Sequence, residues 1–179
     1  MQISLRPFFA AFAFVVALCG GAPADASSRI KDLANIEGVR QNQLIGYMEN
    51  AAQYDPAELE QFGADVQALC ERAAAVHNLK LDFRQSNHEG VLIDWVHEAF
   101  EAGWAVVGNF GGYTHTSIAL MDALAVVTAP VVEVHISDIH AREEFRRTSY
   151  VSLVADDHVI GQGVAGYAEA LRRVAHLWA

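Results

Sequence analysis

From Asp55 onward, short apolar runs alternate with longer stretches of helical period, and that alternation leaves the chain few folds to choose from. Asp55-Pro56-Ala57-Glu58 is a helix start: Asp55 can cap, Pro56 suits the first helical position, and Glu58 stands at the capping-box position. Leu59, Phe62, Val66, Leu69, Cys70 and Ala73 then recur at helical spacing. Leu79 to Phe83 predicts a strand, and Gly90 to Ala102 a helix with Val91, Leu92, Trp95, Val96, Ala99 and Phe100 on one face. Trp104 to Val107 predicts a strand, Thr116 to Val127 a helix, and Val131 to Ile136 a strand. Val159-Ile160 follows as a short strand and Val164 to Leu177 as a last helix. Strands alternating with helices imply an α/β fold with a parallel sheet covered on both faces, and such sheets bind ligands at the carboxyl ends of their strands.

The N-terminal part reads differently. Phe8 to Leu18 is an unbroken apolar run of eleven residues behind a short segment carrying Arg6, and Ala24-Asp25-Ala26 is a small-x-small cleavage signal. This is the layout of a secretory signal peptide over residues 1–26, too short to span a bilayer, and it predicts a periplasmic protein beginning at Ser27 with no membrane association after cleavage. Residues 27–54 form an atypical leader, with Leu33 to Ile36 and Gln43 to Gly46 as its only strand candidates, and residues 55–179 the folded domain. After cleavage Cys70 is the one cysteine left, so no internal disulfide can form. A net charge of −10 argues against nucleic acid and anionic membrane as partners.

The predicted strand ends converge on polar residues. Arg84-Gln85, Asn109, and His135 with Ile136 and Ser137 should lie along one sheet edge. Thr114-His115-Thr116-Ser117 opens a helix whose backbone N–H groups suit an oxygen-rich ligand. Arg142 and Arg146 share a face if their segment is helical. The histidines lack a recognised metal-ligand spacing, so no metal site is expected. Gly161-Gln-Gly163-Val-Ala-Gly166 matches a dinucleotide fingerprint, but no second strand or acidic partner follows it, and it reads as tight helix packing. Trp95, Phe100 and Trp104 read as core rather than as a stacking platform.

Three blocks carry a family resemblance: Arg84-Gln-Ser-Asn-His-Glu-Gly90 with Ile93-Asp-Trp95; Asn109-Phe-Gly-Gly-Tyr-Thr-His-Thr-Ser117; and Glu133-Val-His-Ile-Ser-Asp-Ile-His-Ala-Arg-Glu-Glu-Phe-Arg146 followed by Ser149-Tyr150. Over roughly residues 60–179 the chain resembles the type II 3-dehydroquinate dehydratases. The resemblance implies a flavodoxin-like three-layer sandwich, a homo-oligomer built as a dodecamer of trimers, and cofactor-free elimination of water from 3-dehydroquinate to give 3-dehydroshikimate through an enolate. It implies His135 as the general acid. Asn109 would hold the substrate and the water that stabilises the enolate. His115 and Arg146 would bind the substrate's polar groups, and Ile136 and Ser137 would present backbone to its carboxylate. Asp122 would reach a neighbouring subunit's site.

Phe110 and Asp138 depart from the family pattern. The family's first strand and its lid with an Arg and a base Tyr have no counterpart; the nearest base candidate is Tyr54, in a stretch from Gly46 to Tyr54 without Arg or Lys. Ser28 to Tyr47 instead resembles the mature start of the flagellar P-ring protein. Three function classes follow: an active dehydratase, a relative that binds a polyol carboxylate with weak or no turnover, and a flagellar-ring component supported by the leader alone.

Overall fold

In the computed structural model, which describes residues 13–19 and 56–178, the four strands and four α-helices expected after Asp55 follow in the expected order, joined by a fifth strand that the sequence reading did not expect. Strand β1 spans Ala13–Cys19, helix α1 Pro56–Val76, β2 Lys80–Ser86, α2 Glu89–Ala102, β3 Ala105–Asn109, α3 Ile118–Ala125, β4 Val131–His135, β5 Asp157–Ile160 and α4 Gly166–Leu177. The strand order is β2-β1-β3-β4-β5, the doubly wound order of flavodoxin-like sheets.

Side-chain alternation along the strands builds the two interior layers. Ala105, Val107, Val132, Val134 and Val159 pack with Val66 and Cys70 of α1 and Tyr167, Leu171 and Val174 of α4 on one face. Val106 and Val131 pack with Leu92, Val96 and Ala99 of α2 and Leu120 and Leu124 of α3 on the other. Burial pushes the Cys70 thiol up to about 12, which keeps it an inert core group. Helix ends are where the local chemistry puts them. Gly103 closes α2 at φ 66°, and the Ser117 hydroxyl accepts the Leu120 N–H at 2.9 Å to start α3. Of the face expected on α2, Leu92, Val96 and Ala99 are buried, whereas Phe100 stays 42% exposed. Phe110 is wholly buried with its ring over Gly108, where any Cβ would lie 2.2 Å from the ring. The departure from the family pattern at Phe110 is thus matched by a residue with no side chain.

The sheet is not parallel throughout. β3, β4 and β5 run parallel, but β1 is antiparallel to both neighbours, pairing Ala13↔Ser86 through Cys19↔Lys80 on one side and Phe14↔Asn109 through Leu18↔Ala105 on the other. The sequence reading set residues 1–26 aside as an export signal, yet Ala13–Cys19 occupy a slot inside the sheet. The physical reason is that an inner strand of a sheet covered on both faces reads as a continuous apolar run, and so does the core of a signal peptide. The strand candidates Leu33 to Ile36 and Gln43 to Gly46, the capping residue Asp55 and the base candidate Tyr54 lie outside the described residues.

Candidate active site

The centre of the site is a buried carboxylate, Glu133, that the expectations from sequence do not single out. Glu133 lies in the middle of β4, fully buried among the valines of that strand. Two residues on, with its side chain on the same face, His135 ends the strand, and its Nε2–H donates to Glu133 Oε1 at 2.8 Å. Ser149 Oγ donates to the same oxygen at 2.7 Å, as does Thr114 Oγ1, while Ser152 Oγ donates to Oε2. Burial alone would raise the Glu133 carboxyl. The hydrogen bond and positive charge of His135, with the Ser152 and Thr114 hydroxyls, overcome that and hold it at about 2. An ionised, fully satisfied carboxylate therefore fixes the His135 ring and gives an imidazolium its counter-charge, leaving Nδ1 as the nitrogen that can exchange a proton with a ligand.

His115 is placed beside this pair. Its ring stacks against that of His135 with centroids 6.3 Å apart. Its Nδ1–H donates to the Thr148 carbonyl at 2.7 Å, so Nε2 is an acceptor in the neutral ring. Burial lowers its pKa, against the Thr148 bond that raises it, and His135 and Arg146 lower it further. A neutral acceptor beside a proton donor suits a hydroxylated ligand.

Asn109 ends β3, next to β4 in the parallel register Gly108↔Glu133. Its Oδ1 accepts the Gly111 N–H at 3.1 Å, which frees the amide nitrogen to donate. Ile136 and Ser137 directly follow β4 at the same edge.

Other expectations are changed by the structure. Thr114–Ser117 does not open the helix directly: Gly111–His115 is a 3₁₀ turn preceding α3, and the Thr114 hydroxyl turns inward to the Glu133 network. Arg142 and Arg146 do not share an α-helical face; Ile139–Ala141 and Glu144–Arg146 are separate 3₁₀ turns. The two guanidiniums are linked through Glu143, each with Nε 3.4 Å from its carboxylate, and Arg146 also lies over the Phe145 ring. Arg84 is inside β2 rather than at its end, paired with Asp82 and Glu98 and packed on Trp95, so it braces α2. Asp122 is exposed on α3. The signal that could have singled out Glu133 was present: one acid in an apolar strand, two residues before a histidine, is costly unless partnered.

A doubly wound sheet with a carboxylate–histidine pair, a second histidine and an amide at its carboxyl edge is an α/β enzyme framework built for proton transfer near an oxygen-rich ligand. This chain belongs to the dehydroquinase class II family, whose model matches residues 33–175. That match begins well before Asp55 and so takes in part of the leader. The chain is 59% identical over 115 residues to a 3-dehydroquinate dehydratase of Streptomyces avermitilis, covering 64% of this chain and 72% of that one. It is 53% identical over 123 residues to one of Variovorax paradoxus, covering 64% and 84%. Among solved structures it resembles a 3-dehydroquinate dehydratase-like protein from Bifidobacterium longum, with a TM-score of 0.56 at 34% identity over 64% of this chain and 87% of that one. It also resembles the type II dehydroquinase of Propionibacterium acnes, with a TM-score of 0.50 at 41% identity over 51% and 67%.

Proposed function

We propose that the chain is a type II 3-dehydroquinate dehydratase, a hydro-lyase that eliminates water from 3-dehydroquinate without a cofactor. The observation that carries this reading is the Glu133–His135 pair at the end of β4, 2.8 Å apart and buried. Removing a proton beside a ketone creates an enolate, and expelling hydroxide needs an acid. His135, oriented through Nε2, delivers its proton from Nδ1 to the departing hydroxyl. Asn109 donates from its amide nitrogen toward the enolate through a water. His115 accepts from a substrate hydroxyl, Arg146 binds the carboxylate or a hydroxyl, and the backbone of Ile136 and Ser137 faces the carboxylate. Incubation with 3-dehydroquinate, followed by NMR, should show 3-dehydroshikimate accumulating. Neither product nor calorimetric binding of the substrate would defeat the reading.

A second reading is favoured by one sequence feature. A phenol is a weak base near neutral pH unless a cation lowers its pKa, and the stretch from Gly46 to Tyr54 has no Arg or Lys. On that reading the site binds a polyol carboxylate and turns it over slowly. Binding that saturates while product forms at a rate far below that of active relatives would establish it.

Oligomeric state and destination are part of the same proposal. Asp122, exposed on α3, serves a site only if a neighbouring subunit is close, as in a trimer-based dodecamer, and sedimentation as a stable monomer would remove that role. Periplasmic export rests on the apolar run and on Ala24-Asp25-Ala26. The same run supplies β1, so cleavage after Ala26 would empty the slot between β2 and β3 unless residues 33–46 enter it. Mass spectrometry of the mature N-terminus decides: Ser27 supports export, Met1 refutes it.

A further inference from the structure

The stretch Gly161-Gln-Gly163-Val-Ala-Gly166 has the spacing of a dinucleotide fingerprint, but two of its N–H groups are already engaged. The Gly161 N–H donates to the His135 carbonyl at 2.9 Å and the Gly163 N–H to the Ile136 carbonyl at 3.0 Å. Neither is left to cradle a phosphate. Both glycines have positive φ, +73° and +60°, which lets the turn aim both donors back at the end of β4. At Gly161 space is a second constraint, since a Cβ there would lie 3.3 Å from that of Asp138. The turn thus lies along the backbone from His135 to Asp138.

What it does to that backbone follows from peptide geometry. In a regular strand successive carbonyls point to opposite sides. His135 and Ile136 instead send both carbonyls to the one turn, and β4 ends at His135. In a trans peptide the N–H points opposite to the carbonyl of the same unit. Fixing the carbonyls of His135 and Ile136 therefore fixes the N–H groups of Ile136 and Ser137 and turns both away from β5. On that side of β4 lies β3, which Asn109 ends. Among the described residues neither N–H donates to an acceptor of the chain. Two neighbouring backbone donors facing one way make a receptor for an oxyanion. We propose that the Gly161–Gly163 turn is a positioning element for ligand binding: by holding the carbonyls of His135 and Ile136, it aims the N–H groups of Ile136 and Ser137 together at a carboxylate. The proposal deepens the dehydratase reading and rests on it for the identity of that carboxylate.

Gly163→Ala tests it. The positive φ strains an alanine there, while its Cβ would meet nothing within 4 Å, so the change acts on the conformation of the turn and not on packing. Gly103→Ala is the matched control: φ is +66°, the surroundings are equally open, and the residue closes α2 at the other edge of the sheet, just before β3 begins. Both variants should lower Tm by a similar amount, roughly 2–4 °C. Only Gly163→Ala should weaken calorimetric binding of quinate, a cyclic polyol carboxylate without the ketone, by about ten- to a hundredfold, as for a lost charge-assisted hydrogen bond. Gly163→Asn, whose side chain tolerates positive φ, should restore the affinity to within about twofold of the parent. For the methyl ester of quinate, which lacks the charge, Gly163→Ala should bind no worse than the parent. Loss of quinate binding in Gly163→Ala alone, in a chain that forms no product from 3-dehydroquinate, would sink the dehydratase reading and leave the role of the turn standing. Equal losses of affinity in the two alanine variants, or an affinity unmoved by Gly163→Ala, would overturn the proposal.

Discussion

β1 and β4 are separated by a single strand in one sheet, yet different forces specify them. The end of β4 is held by named polar partners: the Glu133 carboxylate takes hydrogen bonds from His135, Thr114, Ser149 and Ser152, and the two carbonyls that follow are held by Gly161 and Gly163. A shift of one residue there would bury an unpaired charge. β1 is specified by backbone pairing along both edges, and it runs against the direction of the strands around it. The difference teaches that the chemistry sits on the part of the sheet whose register is fixed by polar side-chain partners, while β1 is tied into the sheet by its backbone pairing.

The strongest way to break this contrast is Glu133→Ala. It removes the carboxylate that four donors share and should cost about 3–5 kcal/mol of stability, as expected when one partner of a buried ion pair is lost. Urea denaturation measures it, and a cost below about 1 kcal/mol would show that the network is not what fixes β4. The pH dependence sharpens the same point. Because the folded Glu133 value, about 2, lies below that of an unfolded carboxyl, its stabilisation is complete above the unfolded value and is lost as pH falls toward about 2. Glu133→Gln should flatten that acid limb; identical limbs in variant and parent would contradict it.

Arg146→Ala should raise KM ten- to a hundredfold with a smaller change in kcat, on the basis of about 1.5–3 kcal/mol for a charge-assisted hydrogen bond. An unchanged KM would remove Arg146 from the site. Val16→Pro takes one N–H from the β1 ladder and should cost about 1–3 kcal/mol. No loss of stability would mean that another segment, such as residues 33–46, fills the slot in solution. The smallest effect is expected from Tyr54→Phe, less than about threefold in kcat, since the phenol has no cation nearby in sequence to make it a base. Turnover abolished by that change would identify Tyr54 as the base.

Most of the α/β body was legible because its signals are local. Every helix and strand expected after Asp55 is present, with boundaries moved by a few residues where a cap decides the end, as at Ser117. The convergence of Asn109 and His135 on one sheet edge was legible too, because both end neighbouring parallel strands, whereas His115, in a 3₁₀ turn, was singled out through the family resemblance. What the sequence hid depends on long-range partners. Glu133 acquires its meaning from hydroxyls 16 and 19 residues away. Arg84 looked like a site residue until Asp82 and Glu98 claimed it. The use of Ala13–Cys19 as an inner strand was masked because its pattern is also that of a signal peptide.

The claim that the end of β4 is the acid half of a dehydratase site is tested most directly by the steady-state rate of 3-dehydroquinate dehydration in His135→Ala beside the parent chain. The expected result is a loss of about 100-fold or more in kcat, with the unfolding transition still cooperative. A rate close to that of the parent, in a folded variant, would contradict it.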